Sequence, residues 1–474
     1  MPSRFHLGIT SQEQEIQVEE LPMIGLLPEW LIGTLIINGP GKFEIGEERY
    51  SHWFDGLAML RRFSFRGGKV AYVNRFLRSR GFMDSMRSGQ IRYEQFGTNT
   101  RPSFFQRLRS IFSNMQVPNN TNTNLAKVGD DRFFAITESP TAIEFEPDSL
   151  ATIGEFAYVD KLSGMITTAH PHYDTVNNIS YNYLLHFSLS STYHVYCVQP
   201  GTYRRTRILS LPVREPSYMH SFGMTENYII LTEFPLVVNP LNFLWKGKPF
   251  IENYRWKPER GTRFRVIGKS DGEVVADCES ESFFAFHHIN AFEKNDSVLV
   301  DICAYPDHSI IGELYIDRMR EEDREHIPQL EFRRYHLPLN GSTADFEVIL
   351  DEPFELPRIN YFQHNAKEYR FAYGVGLNAS QPLDFVNQLV KVDIKKGDVK
   401  TWYVEGCYPG EPIFVPAPGE RKEDGGVILS LVLDVNKENS FLLILDAASF
   451  SQVARVEVPH HIPFGFHGQF FWNF

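Results

Sequence analysis

Cysteine is scarce in this 474-residue chain: four residues, Cys197, Cys278, Cys303 and Cys407, widely scattered and forming no C-x-x-C pair. That spacing excludes a disulfide scaffold or a zinc ribbon and fits a reducing compartment. No run of 18 apolar residues occurs, so no helix is expected to span a membrane. The opening M-P-S-R-F-H-L-G-I-T-S-Q-E lacks the apolar core of a signal peptide. Basic charge is also short, with 47 Lys and Arg against 59 Asp and Glu and a net charge of −12. No basic stripe is visible, so a nucleic-acid partner is not expected. These absences describe a cytoplasmic globular protein.

Apolar and aromatic residues are plentiful by contrast. The hydrophobic fraction is 42%, with 39 Phe and 21 Tyr, more than packing alone usually requires. The length exceeds that of a usual single domain, and closed repetitive β architectures are the main exception. Short β-type runs joined by tight polar turns recur at 58–73, 142–156, 264–276, 389–402 and 441–458. The turn pairs G-G, D-G and K-G between them are hairpin signals. Such hairpins would form the outer half of a propeller blade, its inner strands lining the axis. Seven blades of about 65 residues account for the length, in one all-β domain over 1–474; a pair of β-sandwiches is the competing architecture. One segment breaks the pattern. In S-F-F-Q-R-L-R-S-I-F-S-N-M (103–115) the apolar residues recur at helical spacing, Ser103 is a good N-cap, and Arg107 and Arg109 flank the apolar face. That is the layout of an interfacial helix, or of a helical and loop cap over the propeller's top face. The apolar stretch F-P-L-V-V-N-P-L-N-F-L-W (234–245) reads as a second membrane-facing element.

Four of the 16 histidines stand in distinctive settings: His170 in T-A-H-P-H, His220 in Y-M-H-S-F, His287 in F-H-H-I-N and His467 in F-G-F-H-G-Q. They lie roughly 50, 70 and 180 residues apart, so only a fold that brings distant segments to one axis gathers them. Converging, they would offer four neutral imidazoles to one metal, a donor set that suits iron and oxygen chemistry. Taken singly, each is as well read as a surface or core histidine.

The sequence around these histidines resembles the carotenoid cleavage oxygenase family. Besides the four settings above, S-H-W-F-D-G-L-A-M-L (51–60), P-F-E-L-P-R-I-N-Y (353–361) and G-E-P-I-F-V-P (410–416) resemble family motifs, in family order over most of the chain. The resemblance implies a seven-bladed propeller with Fe(2+) on its axis, held by His170, His220, His287 and His467. It implies second carboxylates behind three of them: Glu138 for His220, Glu355 for His287 and Glu411 for His467. His170 is left without one. Two nearby histidines, His172 and His288, are expected to be structural, because neighbouring residues on a strand point to opposite faces. Thr137 matches a position near the open side of the metal. Phe54, Phe96, Tyr305 and Tyr335 match positions lining the substrate tunnel.

The implied activity is an iron dioxygenase that uses O2 to split a double bond of a carotenoid or apocarotenoid into two carbonyl products, retinal among them. The partners implied are an apolar polyene, O2 and a membrane surface bound peripherally. A retinyl-ester isomerohydrolase and a stilbene-type cleavage are alternatives inside the family; a non-enzymatic binding platform is the alternative outside it. One departure stands out. Where the animal branch carries P-D-P-C-K, this chain reads N-T-R-P-S-F-F, so no cysteine is present there for palmitoylation.

Overall fold

Gly67 and Gly68 both adopt positive φ, 59° and 73°, which only a residue without Cβ takes at little cost. They turn the strand Leu57–Arg66 back on Lys69–Phe76 in register, Arg66 opposite Lys69. Gly272 (φ 72°) and Gly397 (φ 73°) sit in the corresponding connections of Thr262–Gly268 with Val274–Ser280 and of Gln388–Asp393 with Asp398–Tyr403. All five hairpins anticipated from the sequence form, each towards the outer edge of its sheet.

The computed structural model describes residues 5–100, 119–128, 132–188, 190–244, 247–321, 327–381 and 384–472. Seven antiparallel sheets of four to six strands follow one another as the blades of a propeller, with two small two-stranded sheets beside them. Both ends of the chain close the ring. Gly468–Phe471 supplies the innermost strand of the first blade by pairing with Gly33–Lys42. Met23–Gly25 adds an outer strand to the seventh by pairing with Gln452–Val458. Opening the ring at this seam therefore means breaking two sheets at once.

The core lies between blade faces rather than at one centre. Leu35, Phe63, Leu429 and Ile444 pack the first blade on the seventh, and Phe264, Phe332, Tyr335 and Phe354 belong to the large cluster of the middle blades. Each such fully buried large apolar side chain contributes about 1.5–3 kcal/mol.

A cap of short helices and loops covers one end of the axis. Its longest described helix, Arg80–Ser88, starts where the Ser79 hydroxyl accepts the Phe82 amide and ends at Gly89 in the left-handed region. Among the described residues, the segments Pro240–Leu244, Ile251–Asn253 and Ser309–Glu313 also belong to it. The anticipated helix at 103–115 lies outside the described residues. The apolar stretch from 234 differs from the sequence reading in its first half: Phe234, Leu236, Val237 and Val238 are buried in the core and Leu236–Val237 pairs with Arg255–Trp256, whereas Leu241 is 45% exposed. An apolar run without polar interruption fits a strand buried on both faces as well as it fits a surface loop. Among the described residues, no helix is long and apolar enough to cross a membrane.

Candidate metal centre

Each blade's innermost strand starts beside the axis, and the residues just ahead of it reach the central channel. His170 precedes the inner strand His172–Asp174, His220 precedes Gly223–Met224, His287 precedes His288–Lys294, and His467 precedes Gly468–Phe471. Glu355 opens the sixth blade's inner strand, Glu355–Arg358, and Glu411 lies between the seventh blade's segments Cys407–Pro409 and Ile413–Pro416. Glu138 follows Arg132–Ile136 in the second blade, so four blades bring a histidine to the axis and the other three bring a carboxylate.

One nitrogen from each of the four rings lies within 4.8 Å of the other three. His170 Nε2 and His220 Nε2 are 3.1 Å apart. Two donors at right angles on one ion, each at the usual metal–imidazole length of about 2.1 Å, would stand about 3 Å apart. Three rings are aimed from behind. The Nδ1–H of His220 donates to Glu138 Oε1 (2.6 Å), that of His287 to Glu355 Oε2 (2.5 Å), and that of His467 to Glu411 Oε1 (2.7 Å). With Nδ1 carrying the proton, each Nε2 keeps a bare lone pair turned to the centre. His287 Nε2 is fully buried with no protein partner, which is what a ligand atom looks like in the protein alone.

The carboxylates are themselves held. Tyr218 donates to Glu138 Oε1 (2.7 Å) and Tyr305 to Glu355 Oε1 (3.3 Å). Arg358 Nη2 donates to Glu411 Oε2 (2.9 Å) and to the Gly468 carbonyl (2.6 Å). Leu356 adopts φ 46°, a left-handed conformation costly for a branched residue, and its amide thereby turns back onto Glu355 Oε2 at 2.7 Å. Burial opposes the charge on Glu411, yet Arg358 and His467 hold its carboxyl down at about 2. Burial also drives His467 down to about 4 against the pull of Glu411. His170 is lowered well below its ordinary value, by burial first and then by the three neighbouring rings. Neutral imidazoles, three carboxylates and one guanidinium leave a formal charge of −2 around the axis. A divalent cation offsets it.

His170 is aimed differently. Its backbone amide donates to Thr168 Oγ1 (3.0 Å), whose hydroxyl in turn donates to the His220 carbonyl. Asn124 Nδ2 holds the Ala169 carbonyl (2.8 Å), and Asn182 Nδ2 holds that of Thr168 (3.0 Å). Its loop is thus fixed through the backbone; among the described residues no carboxylate is hydrogen-bonded to its ring. The neighbours His172 and His288 face elsewhere. His172 Nε2 meets the Phe222 carbonyl (2.8 Å) and its Nδ1 the Tyr361 hydroxyl (3.2 Å). His288 bridges Ser221 Oγ (2.7 Å) and Thr232 Oγ1 (2.8 Å).

Comparison with known proteins accounts for this arrangement. A profile described as retinal pigment epithelial membrane protein matches residues 9–472. The mitochondrial carotenoid-cleaving dioxygenase of Mustela putorius furo is 34% identical, over 98% of this chain and 95% of its own. The chloroplastic carotenoid cleavage dioxygenase 8 homolog B of Oryza sativa subsp. japonica is 33% identical, over 96% of this chain and 83% of its own. A Synechocystis apocarotenoid oxygenase structure superposes with a TM-score of 0.89 at 27% identity, covering 99% of this chain and 98% of that one. The chain belongs to the carotenoid cleavage oxygenase family. A cobalt-substituted structure of the Synechocystis enzyme superposes equally closely, with a TM-score of 0.88.

In this family member a cavity of about 1570 Å³ reaches the axis, larger than most small-molecule sites. His220, His287 and His467 open onto it with Glu138 and Glu355, and its inner wall is aromatic: Trp53, Phe54, Phe96, Phe286, Tyr305, Phe385 and Phe466. Phe54 and Phe96 meet at 5.2 Å between ring centres. Thr137 lines the cavity and is paired through its hydroxyl with Thr123 (3.0 Å). Tyr335 does not line it. It lies on Glu331–Pro338, the third strand of its blade, stacked on Phe283 at 4.7 Å within the core, too far out along the blade for its ring to reach the axis.

Two features went unread in the sequence. Arg358 lies three residues after Glu355 in the same motif, where a basic residue between prolines and apolar residues was a usable signal. The tract N-N-T-N-T-N (119–124) is buried and uses its amides as struts. Asn120 Nδ2 donates to the Gly56 carbonyl (2.9 Å) and Asn122 Nδ2 to that of Phe54 (2.8 Å), fixing the wall beside the four histidines.

Proposed function

We propose that this chain is a non-haem Fe(2+) dioxygenase that cleaves a carbon–carbon double bond of a carotenoid or apocarotenoid with O2, giving two carbonyl products that include retinal. The observation that carries the reading is the set of convergent imidazoles opening onto a long aromatic cavity. His170, His220, His287 and His467 would hold the iron, and bound iron would supply the activation of O2. Glu138, Glu355 and Glu411 keep three of the rings in the ligating tautomer. Thr137 would shield one face of the iron, leaving a single side for O2. The remaining task of the protein is placement. Phe54, Phe96, Tyr305 and their neighbours grip a flat conjugated chain and exclude water, so that one double bond stays beside the iron. No protein nucleophile or general base is required.

Membrane association belongs to the same proposal. Met83 and Met86 project into solvent, 43% and 47% exposed, from the helix whose Asp84, Arg87 and Ser88 border the cavity mouth. A polyene could pass there from a bilayer into the cavity without crossing water. All four cysteines are free and buried, in keeping with action in a reducing compartment.

The test is turnover of a carotenoid and apocarotenoid panel by Fe(2+)-loaded protein under 18O2, with products trapped quickly to limit exchange with water. Labelled aldehydes, retinal among them, are expected. Activity that survives strict anaerobiosis would instead mark ester isomerohydrolysis, and phenolic aldehydes from stilbenes would mark the other alternative.

A further inference from the structure

Arg61 is fully buried, yet only one of its three guanidinium nitrogens has a protein partner. Nη2 donates to the Pro40 carbonyl at 2.6 Å, while Nε and Nη1 are buried without one. No carboxylate pairs with it among the described residues. A lone guanidinium inside a protein is costly, because burial removes hydration that a single carbonyl does not replace.

Arg61 lies opposite Asn74, and Tyr72 opposite Phe63, so in this antiparallel pair Arg61 and Tyr72 are diagonal neighbours on one face. The Tyr72 hydroxyl is also buried and unpartnered. Burial keeps it protonated, hence a donor. The His460 ring packs against Tyr72 at 5.7 Å and closes the side towards the seventh blade. Backbone glycines make the last wall: a Cβ on Gly39 would stand 3.0 Å from Arg61 Nη1. Three unclaimed donors and one full positive charge therefore gather here with no negative group, and the one unclaimed acceptor beside them is His460 Nε2, whose Nδ1–H donates to the His461 carbonyl.

We propose that Arg61 and Tyr72 form a buried site for a small inorganic anion of the halide class. The anion accepts from Arg61 Nε and Nη1 and from the Tyr72 hydroxyl, and neutralises the guanidinium. Water alone would satisfy the hydrogen bonds but not the charge. Since Arg61 also ties the Pro40 carbonyl beside the closing seam, the bound anion stabilises the ring where its two ends meet.

The experiment is crystallography of the full chain grown in bromide, with data at the bromine absorption edge, paired with thermal unfolding in sodium bromide, chloride and gluconate at equal ionic strength. An anomalous peak in contact with Arg61 and Tyr72 is expected, with a midpoint higher in either halide by about 2 °C or more. Arg61→Met should remove both effects, and Tyr72→Phe should weaken them. Anomalous peaks confined to other places, an adventitious ion only, would overturn the proposal. So would ordered water in front of Arg61 in the bromide crystal, a measurement on the unaltered chain that stands even where Arg61→Met fails to fold.

Discussion

His287 and His288 are neighbours in sequence and opposites in chemistry. The first sends Nδ1 to a carboxylate and leaves Nε2 buried and unclaimed towards three other rings. The second points to the other side of the chain and spends both nitrogens on hydroxyls, Ser221 and Thr232. The same contrast separates His170 from His172. Burial does not distinguish them, since all four rings are enclosed. What marks a prospective ligand is a nitrogen with no protein partner and a carboxylate, or a fixed backbone, behind it.

The largest expected effect breaks that contrast directly. His287→Ala should lose most bound metal, measured by elemental analysis, and reduce turnover by more than about 100-fold, a loss beyond that seen when outer carboxylates are removed. His288→Ala should keep its metal and its turnover per folded molecule. The buried Thr232 hydroxyl would lose its partner, while Ser221 keeps the Phe286 carbonyl and the residue-288 amide, so the variant should instead lose about 1–3 kcal/mol of stability in chemical denaturation. If His288→Ala lost the metal while His287→Ala retained it, the assignment of the two would be reversed.

The next effect asks whether the carboxylates matter as much as the rings they aim. Glu411→Gln keeps a hydrogen-bond acceptor for His467 but removes the charge that Arg358 and the axis share. Metal affinity should fall by about 10–100-fold, read by competition with a chelator. Unchanged affinity would mean that Glu411 only orients the ring and that the balance of charge around the axis is incidental.

How much of this was legible in the chain follows from range. The hairpins were readable because each is local, and pairs such as Gly67–Gly68 carry the positive φ their turns need. The four histidines were readable through motif context, which no spacing rule would have supplied. Closure was not: the pairing of Met23–Gly25 with Gln452–Val458 joins residues with no local pattern linking them. The first half of the stretch from 234 and the Tyr335 tunnel wall share one physical reason for being misplaced. Apolar runs such as 234–238, and aromatics such as Tyr335, look alike in sequence whether they line a cavity, face a membrane or fill the space between blades. Asn120, Asn122 and Arg358 were missed because polar residues are read as exposed unless a partner is known, and theirs come from distant segments.

A third histidine extends the comparison to the cavity wall and gives the smallest effect. His52, fully buried, accepts the Phe54 amide at Nδ1 and donates to the Ile311 carbonyl at Nε2, each at 3.1 Å. Burial lowers it from 6.5 to about 3 despite the carbonyl. Between those values the unfolded chain takes a proton that the folded ring refuses, so this residue's contribution is complete above pH 6.5 and lost as pH falls. Asp55, three residues on, works in the other direction. Burial raises it from 3.8 to about 7 even though Thr98 and the Gly97 amide bond it. Its folded carboxyl keeps a proton that the unfolded one has lost, so stability falls as pH rises from 3.8 to 7. The two slopes oppose each other between about pH 4 and 6.5, each at most about 1.4 kcal/mol per pH unit. Asp55→Asn should remove one of them. Relative to the unaltered chain, its stability should decline more steeply on acidification from pH 6.5 to 5.5, by about 1.4 kcal/mol in urea titrations. Parallel profiles would show that Asp55 is ionised in the fold, its charge held by the Thr98 hydroxyl and the Gly97 amide.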